Sequence, residues 1–216
     1  MRVGDEVLAV LRGLRTPTLA NALDALGCGG VMAGLASAGP GMACVGRAVT
    51  VRQATGPFGT FPVEDFKVGH MIDAAGPGDV IVVANGGAPV STWGGMASYA
   101  AKLKGIAGLV VDGGIRDREE IQEFGFPAFS AHMVPTPGKT RLRVEEIGGT
   151  IVCAGVAVRP GDVICADGTG VLTIPADRAA EVAALATRFA RDDAAAMAEM
   201  DRGLSFREAL AKFRAI

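Results

Sequence analysis

Two continuous apolar runs, each followed by a glycine-rich loop and a helical segment, constrain the fold more than any other feature of the sequence. The first run is Val80–Ala84 and the second is Ile106–Asp112. Apolar runs of this length without polar alternation are typical of strands that are buried on both faces. The repeated order of strand, loop and helix predicts parallel strands joined by crossover helices.

Shorter elements are predicted on either side of this unit. Leucines at helical spacing predict a helix over Asp5–Leu14, and Thr16-Pro17 begins a second helix that stops at Gly27. The other expected elements are a loop over Gly27–Gly41, a strand over Ala43–Gln53, a helix over 63–74, β-hairpins within 127–174, and helices over Pro175–Met200 and Ser205–Ala215.

These elements predict one domain over residues 1–216, of the α/β class, with both parallel and antiparallel strands and with helices at the C-terminal end. The last long helix carries an apolar stripe. We therefore expect segment 176–216 to pack on a neighbouring subunit.

Composition excludes several classes of protein. The 216 residues include 21 Lys and Arg against 23 Asp and Glu, and this net charge of −2 gives no general basis for binding nucleic acid. No apolar run approaches the ~18 residues of a membrane-spanning helix. The four cysteines are too far apart for a CxxC pair, and Met1–Glu6 lacks the pattern of a secretion signal. We expect a cytoplasmic protein that binds neither nucleic acid nor a membrane.

The loops that follow the two buried strands are the place to expect a ligand, because ligands of open α/β sheets bind beyond the carboxyl ends of the strands. The first loop, Asn85–Gly94, leads into a helix that begins near Gly95. The backbone amides of Met96 and Ala97 would be unpaired in the first turn of this helix, a position that favours a carboxylate or a phosphate.

The second loop ends in Arg116 and Asp117. A guanidinium suits bidentate binding of a carboxylate, and a carboxylate oxygen is a ligand for hard cations, so the pair predicts a metal-assisted reaction on an acid. Structural interpretations stay open for each residue: Asp117 as a helix cap, Arg116 as a surface ion-pairing residue, and Gly94-Gly95 as a turn before the helix.

The same residues carry a resemblance to a known family. Gly95, then 20 residues, then Arg116-Asp117-Arg118-Glu119-Glu120 resembles the G-x20-R-D-x2-E signature of the family that unites regulator of ribonuclease activity A with 4-hydroxy-4-methyl-2-oxoglutarate aldolases. Further segments resemble the family in order along the chain: Ala20–Gly27, Val45–Val51, Pro77–Val80, Pro160–Val163 and Ala166–Val171.

The resemblance implies a β/β/α sandwich related to swivelling domains, assembled as a homotrimer or a homohexamer with sites between subunits. It implies that Arg116 binds the pyruvate moiety of the substrate and stabilises its enolate. Asp117 would hold Mg²⁺ or Mn²⁺, largely through water, and the amides of Met96 and Ala97 next to Gly94 would hold the substrate carboxylate. The implied chemistry is carbon–carbon cleavage of a 4-hydroxy-2-oxo acid to pyruvate, with decarboxylation of oxaloacetate as a companion activity.

Two further positions follow from the resemblance. Aldolases of the family usually carry Asp where this chain has Gly95, so decarboxylation is expected before aldol cleavage. The family also uses an acid from the C-terminal helix of a neighbouring subunit, and Asp193 is the nearest match. The alternative function is a non-catalytic regulator that binds a protein partner such as a ribonuclease. A weaker third option is an enzyme that acts on another anion with the same residues.

Several other polar residues are expected to be structural. Asp112 is expected to orient Arg116, and His132 to be packed or bonded to solvent. Trp93 is expected at a subunit contact. The small basic patch of Lys139, Arg141 and Arg143 is expected to be a solvated loop.

Overall fold

The chain folds around a mixed β-sheet that packs against helices, as seen in a computed structural model that describes residues 2–213. The helices are α1 Asp5–Arg12, α2 Thr16–Ala25, α3 Val68–Ala74, α4 Gly95–Leu103, α5 Arg118–Phe124, α6 Ala179–Asp201 and α7 Phe206–Lys212, and a 3-10 helix covers Val63–Phe66. The strands are β1 Val31–Met32, β2 Ala36–Ser37, β3 Cys44–Thr55, β4 Val80–Ala84, β5 Ser91–Trp93, β6 Gly108–Ile115, β7 Ala128–Met133, β8 Leu142–Ile147, β9 Ile151–Cys153, β10 Val156–Val158, β11 Val163–Asp167 and β12 Gly170–Ile174.

The sheet is parallel in the middle and antiparallel at its ends. Its order is β1-β12-β11-β3-β4-β6-β7-β2, in which β3, β4, β6 and β7 are mutually parallel. Strand β5 pairs with β6, strand β8 pairs with β3, and β9 and β10 form a separate hairpin. Every residue of β4 and β6 is buried, so the prediction of two strands covered on both faces is confirmed.

Two apolar clusters flank this sheet. One lies between the parallel strands and the helices α3, α4 and α5, and includes Met71, Ala101 and Ile121. The other joins α1, α2 and α6 to β11 and β12. The expected α/β fold with a mixed sheet and C-terminal helices is therefore confirmed.

Several expected boundaries are wrong, and pairing across the sheet explains most of them. The expected loop Gly27–Gly41 contains β1 and β2, two-residue strands that exist because they lie beside β12 and β7. The segment expected to be a solvated basic loop continues into β8, which pairs with β3. The helix expected over 63–74 is two helices, because Lys67 has a left-handed backbone with φ of 43°.

The C-terminal expectations are only partly covered by the described residues. The helix expected over Ser205–Ala215 is α7, which starts with a capping box between Ser205 and Glu208 and ends at Lys212. Residues 214–216 lie outside the described residues. The single domain over 1–216 and the packing of 176–216 on a neighbour stay predictions. Within residues 2–213, no helix is long and apolar enough to cross a membrane.

Asp167 joins the start of α2 to the β11–β12 turn. Its carboxylate accepts hydrogen bonds from the Thr16 amide at 2.9 Å and the Thr16 hydroxyl at 2.7 Å, besides one from the Thr169 amide in its own turn. Partial burial raises the pKa of the Asp167 carboxyl, but the hydrogen bonds outweigh burial and hold the pKa below its ordinary value. Asp167 therefore contributes stability that is present above the unfolded pKa of ~3.9 and is lost as pH falls through the folded value.

Asp167→Ala is expected to lower the free energy of unfolding at pH 7 by about 1–2 kcal/mol, because it leaves the Thr16 amide and hydroxyl without their acceptor. Urea denaturation at pH 7 and at pH 3 measures this effect, and the difference from wild type should narrow at the lower pH. Asp24→Ala, at an exposed position of α2, is the matched control. Equal losses in the two variants would contradict the assignment.

Candidate functional site

The carboxyl ends of β5 and β6 bring the first turns of α4 and α5 together. The Arg116 amide donates to the Trp93 carbonyl at 3.0 Å, which extends the pairing of β5 with β6. Beyond this bond the Gly95 amide, at the start of α4, donates to the Asp117 carboxylate at 3.0 Å. The two loops expected to form a site therefore do meet, and they are hydrogen-bonded to each other.

Gly94 and Gly95 leave room for this close approach. The backbone of Gly94 is extended, with φ of −159°, so its conformation alone does not require glycine. A Cβ at position 94 would overlap the Asp117 carboxylate and lie 3.2 Å from Nε of Arg116, and a Cβ at position 95 would overlap the Glu120 carboxylate. The two glycines thus leave space for three charged side chains from the start of α5.

Asp117 occupies the N-cap position of α5, yet its side chain does not cap that helix. Its backbone is left-handed, with φ of 58°, which is uncommon for a residue other than glycine. The carboxylate instead accepts the Gly95 hydrogen bond and lies 3.4 Å from Nε of Arg116. The structural interpretation of Asp117 as a helix cap is therefore wrong, because its carboxylate faces α4 rather than its own helix.

A cavity of about 510 Å³ opens above these residues. Its polar wall carries Arg116, Asp117 and the first turn of α4, whose amides at Met96 and Ala97 have no partner within the helix. The side chains of Arg116 and Asp117 are about half and one third exposed, so both are open to a ligand. The cavity is also lined by Phe66, Val68, Ile72, Pro137, Gly138 and Lys139.

The structure places five of the seven predicted site residues on this cavity: Gly94, Met96, Ala97, Arg116 and Asp117. Gly95 is buried at the base of α4 and does not line it. Asp193 lies half-buried on α6, and none of the residues that line the cavity belongs to α6. A role for Asp193 in the site of a neighbouring subunit stays a prediction.

The structure corrects the expectation for Asp112 and agrees with the one for His132. Asp112 does not contact Arg116; its carboxylate accepts hydrogen bonds from the Asn85 amide at 2.7 Å and the Ala154 amide at 3.4 Å, so it joins two loops instead. A ring nitrogen of His132 lies 3.0 Å from the Gly87 carbonyl, in agreement with a structural role.

Trp93 is not a surface residue of the chain. It is 2% exposed and stacks on Phe126, with ring centroids 6.1 Å apart. Its indole N–H donates to the Ser98 hydroxyl at 2.9 Å, and this hydroxyl donates to the Gly94 carbonyl at 3.0 Å. The expectation that Trp93 packs at a subunit contact is therefore wrong: the indole fixes the first turn of α4 from inside.

Sequence analysis does not predict the position of Glu120, whose exposed side chain lies beside Gly95 but outside the residues that line the cavity. The sequence contains the signal, because Glu120 follows Asp117 by three residues and so lies on the same side of the first turn of α5. Acids are common in the first turn of a helix because they interact favourably with the helix dipole. The sequence alone therefore gives no reason to place Glu120 beside Gly95. The structure places its carboxylate in the space where a side chain at position 95 would begin.

A family model now identifies the chain. The RraA-like model, described as Aldolase/RraA, matches residues 16–173. The chain belongs to the RraA-like family. The five predicted residues on the cavity, as well as Gly95 and Glu120, all lie within the matched range.

Relatives of the chain are about one third identical to it over the aligned residues. The chain is 37% identical to the uncharacterized protein MJ0644 of Methanocaldococcus jannaschii over 63% of each chain. It is 36% identical to a putative 4-hydroxy-4-methyl-2-oxoglutarate aldolase of Halalkalibacterium halodurans, over 70% of this chain and 69% of that protein. It is 31% identical to protein DlpA of Legionella pneumophila over 82% of this chain, but spans only 28% of that protein. The chain thus covers less than two thirds of the length of MJ0644 and of DlpA.

Solved structures share the RraA-like fold. A protein of Pseudomonas syringae has a TM-score of 0.87 at 30% identity, over 97% of this chain and 98% of that one. Streptomyces coelicolor RraAS2, described as an unusual member of the RNase ES inhibitor RraA family, has a TM-score of 0.77 at 25% identity, over 94% of this chain and 99% of that one.

Proposed function

We propose that the chain is a divalent-metal-dependent lyase that releases pyruvate from small 2-oxo acids, by aldol cleavage of 4-hydroxy-4-methyl-2-oxoglutarate and by decarboxylation of oxaloacetate. The observation that carries the proposal is the convergence of Arg116, Asp117 and the unpaired amides of α4 on one cavity. The name of the Halalkalibacterium halodurans relative supports the aldolase chemistry.

The residues suit a reaction in which negative charge develops on the 2-oxo oxygen. The amides of Met96 and Ala97 would bind the C1 carboxylate of the substrate, because first-turn amides and the helix dipole favour an anion. Arg116 would then donate to the 2-oxo oxygen. As the C3–C4 bond breaks, its electron pair forms the enolate of pyruvate, and a donor placed in advance lowers the energy of that charge.

The oxygen ligands at the site fit a magnesium or manganese ion. Asp117 presents a carboxylate to the cavity, and the Glu120 carboxylate lies beside Gly95 from the first turn of α5, outside the residues that line the cavity. Magnesium is held through one or two carboxylates, with water and substrate as the other ligands. Within residues 2–213 no group of three or more His, Cys, Asp or Glu side chains is placed to hold a metal ion. The proposed ion would therefore have one or two protein carboxylates and take its other ligands from water and substrate. When bound, the ion would polarise the 2-oxo group beside Arg116.

Glu120 changes the expectation for aldol cleavage. The absence of an acid at position 95 favoured decarboxylation, which needs little proton transfer from an alcohol. The Glu120 carboxylate occupies the space in which a side chain at position 95 would begin, so the chain supplies an acid there from α5. We therefore include aldol cleavage in the proposal, with Glu120 as the acid that orders water or moves the proton of the 4-hydroxyl group.

Pyruvate release by the intact protein tests the proposal. A coupled lactate dehydrogenase assay with 4-hydroxy-4-methyl-2-oxoglutarate or oxaloacetate should show turnover with Mg²⁺ or Mn²⁺. Chelation with EDTA should remove most of it, and added metal should restore it. Rates corrected for the metal-catalysed background that are unchanged by EDTA would contradict metal dependence, and no pyruvate from either substrate would contradict the lyase.

An assembly of three or six copies belongs to the proposal, because the expected acid at Asp193 would come from a neighbouring subunit. The exposed apolar side chains of α4 beside the cavity support such a contact. Met96 is 84% exposed and Leu103 is 72% exposed, which is unusual for large apolar residues on one face of a helix.

The second candidate is a non-catalytic regulator that binds a protein partner such as a ribonuclease. It is favoured by the similarity to RraAS2, whose description names a ribonuclease inhibitor family. Binding of a protein partner would not require the left-handed backbone of Asp117, which directs its carboxylate to the Gly95 amide at the start of α4. This geometry is the reason we place catalysis first.

A further inference from the structure

We infer that Lys139 binds a second carboxylate of the substrate, so that the site prefers dicarboxylic 2-oxo acids to monocarboxylic ones of the same shape. The inference rests on the proposed function, because it takes the 2-oxo acid end of the substrate to lie at Arg116. Lys139 and Arg116 line the same cavity.

The backbone on both sides of Lys139 is fixed by hydrogen bonds. The Ser91 amide donates to the Thr136 carbonyl at 2.9 Å, which joins this segment to β5. The Gly138 carbonyl accepts from the amides of Arg141 and Leu142, each at 2.8 Å, and closes a tight turn. Lys139 is therefore held at the edge of the cavity by a rigid turn rather than by a free loop.

Gly138 sets how close this turn comes to the cavity. A Cβ at position 138 would overlap the Ser91 carbonyl and come within 2.5 Å of the Phe66 ring. Only glycine allows the turn to pack between these two groups, both of which belong to residues that line the cavity. The backbone of the next residue, Lys139, therefore lies at the cavity wall.

The three basic residues of this segment have different partners. The Arg141 guanidinium lies 4.8 Å from the centre of the Phe58 ring and donates to the Pro137 carbonyl at 3.1 Å. The Arg143 guanidinium lies 4.9 Å from the Phe61 ring and pairs with Glu145 at 3.0 Å. Across residues 2–213, by contrast, the Lys139 ammonium has neither a carboxylate within 4.0 Å nor a hydrogen-bond acceptor.

The rest of the cavity suits a second anion at Lys139. Arg116 and Lys139 are the basic residues that line it, against one acid, Asp117. Apolar side chains of Phe66, Val68 and Ile72 line the same cavity, and low-dielectric walls of this kind strengthen the attraction between opposite charges. A cavity of about 510 Å³ is larger than a three-carbon acid needs and leaves room for the part of the substrate beyond C3.

A pair of substrates that differ only in the second carboxylate tests the inference. Aldol cleavage of 4-hydroxy-4-methyl-2-oxoglutarate gives two molecules of pyruvate, and cleavage of 4-hydroxy-4-methyl-2-oxopentanoate, in which methyl replaces the carboxylate, gives pyruvate and acetone. Lys139→Met is expected to lower kcat/KM for the first substrate about 10- to 100-fold, mainly through KM, and to change the second less than about twofold. Lys139→Arg should keep the preference.

Arg141→Met is the matched control, because it removes a positive charge from the same turn but outside the cavity. It should leave the ratio of the two kcat/KM values unchanged, whereas a ratio lowered as far as in Lys139→Met would overturn direct binding by Lys139. Equal losses with both substrates in Lys139→Met, or no loss, would also overturn the inference.

Exchange of the pyruvate methyl protons with deuterated water separates failure of the inference from failure of the proposed function. Enolate formation from pyruvate needs Arg116 and the metal but no second carboxylate. Exchange that persists in Lys139→Met, together with an unchanged substrate ratio, overturns the inference alone. Loss of exchange in the wild-type protein overturns the proposed function and the inference with it.

Discussion

Replacing Arg116 by lysine is expected to lower kcat for pyruvate release about 100- to 1000-fold, with a smaller effect on stability. A lysine keeps the positive charge but loses the planar set of donors that can bond to the enolate oxygen and the Asp117 carboxylate together. Loss of one donor to a developing oxyanion has an effect of this size in other enzymes. Because the charge develops only as the bond breaks, kcat should fall more than KM rises.

The coupled pyruvate assay measures the effect of Arg116→Lys, with Arg143→Lys as the control. Arg143 lies on β8, ion-paired with Glu145, and does not line the cavity. Chemical denaturation should show that both variants remain folded. A variant at Arg116 with more than half of the wild-type rate would show that the guanidinium does not stabilise the enolate.

Replacing Glu120 by alanine is expected to lower the rate of metal-dependent pyruvate release about 10- to 100-fold, because residues that order the water around a metal have effects of this size. Glu119→Ala is the control: it removes an acid from the same turn of α5, but Glu119, unlike Glu120, does not overlap the space beside Gly95. Activity unchanged in Glu120→Ala, or lost equally in both variants, would contradict a role for Glu120.

A reciprocal exchange makes this prediction sharper. Gly95→Asp alone should lower activity, with a loss of stability below about 1 kcal/mol, since the new side chain displaces the exposed Glu120 carboxylate. In the double variant Gly95→Asp with Glu120→Ala, the overlap is removed and an acid returns to nearly the same place. The double variant should therefore be more stable than Gly95→Asp and more active than Glu120→Ala. Additive losses would show that the two positions do not share one function.

Much of the site could be predicted because it depends on local patterns. Strands β4 and β6 are continuous apolar runs, and the order of strand, loop and helix places the loops that follow them at one edge of the sheet. Arg116 and Asp117 lie where that rule puts them, on the wall of the cavity with the first turn of α4.

What failed depends on contacts between distant segments. Strands β1 and β2 have two residues each, and their backbone is extended because β12 and β7 lie beside them, so no local pattern reveals them. Strand β6 continues through Gly113 and Gly114 to Ile115, although glycines are typical of loops. Gly113 is needed there because a Cβ would overlap the Asn85 side chain. Glycine in this strand signals close packing rather than a turn.

Side-chain partners were the least predictable part of the site. Asp112 precedes Arg116 by four residues, a spacing that puts both on one face of a regular strand. The pairing of β6 with β7 is irregular between Val111 and Gly114, however, and the Asp112 carboxylate bonds to the amides of Asn85 and Ala154. Glu120 could be placed on the correct helix turn but not against Gly95. That contact depends on the angle between α4 and α5, which the sequence pattern does not specify.

The hydrogen bonds of Trp93 have a practical consequence, because the chain contains one tryptophan. All of its tryptophan fluorescence arises from an indole that is buried next to the cavity and bonded through Ser98 to the first turn of α4. The amides of this turn are those proposed to bind the substrate carboxylate. The intrinsic fluorescence of Trp93 can therefore be used to follow titrations with metal or with 2-oxo acids, without a label or a coupled enzyme.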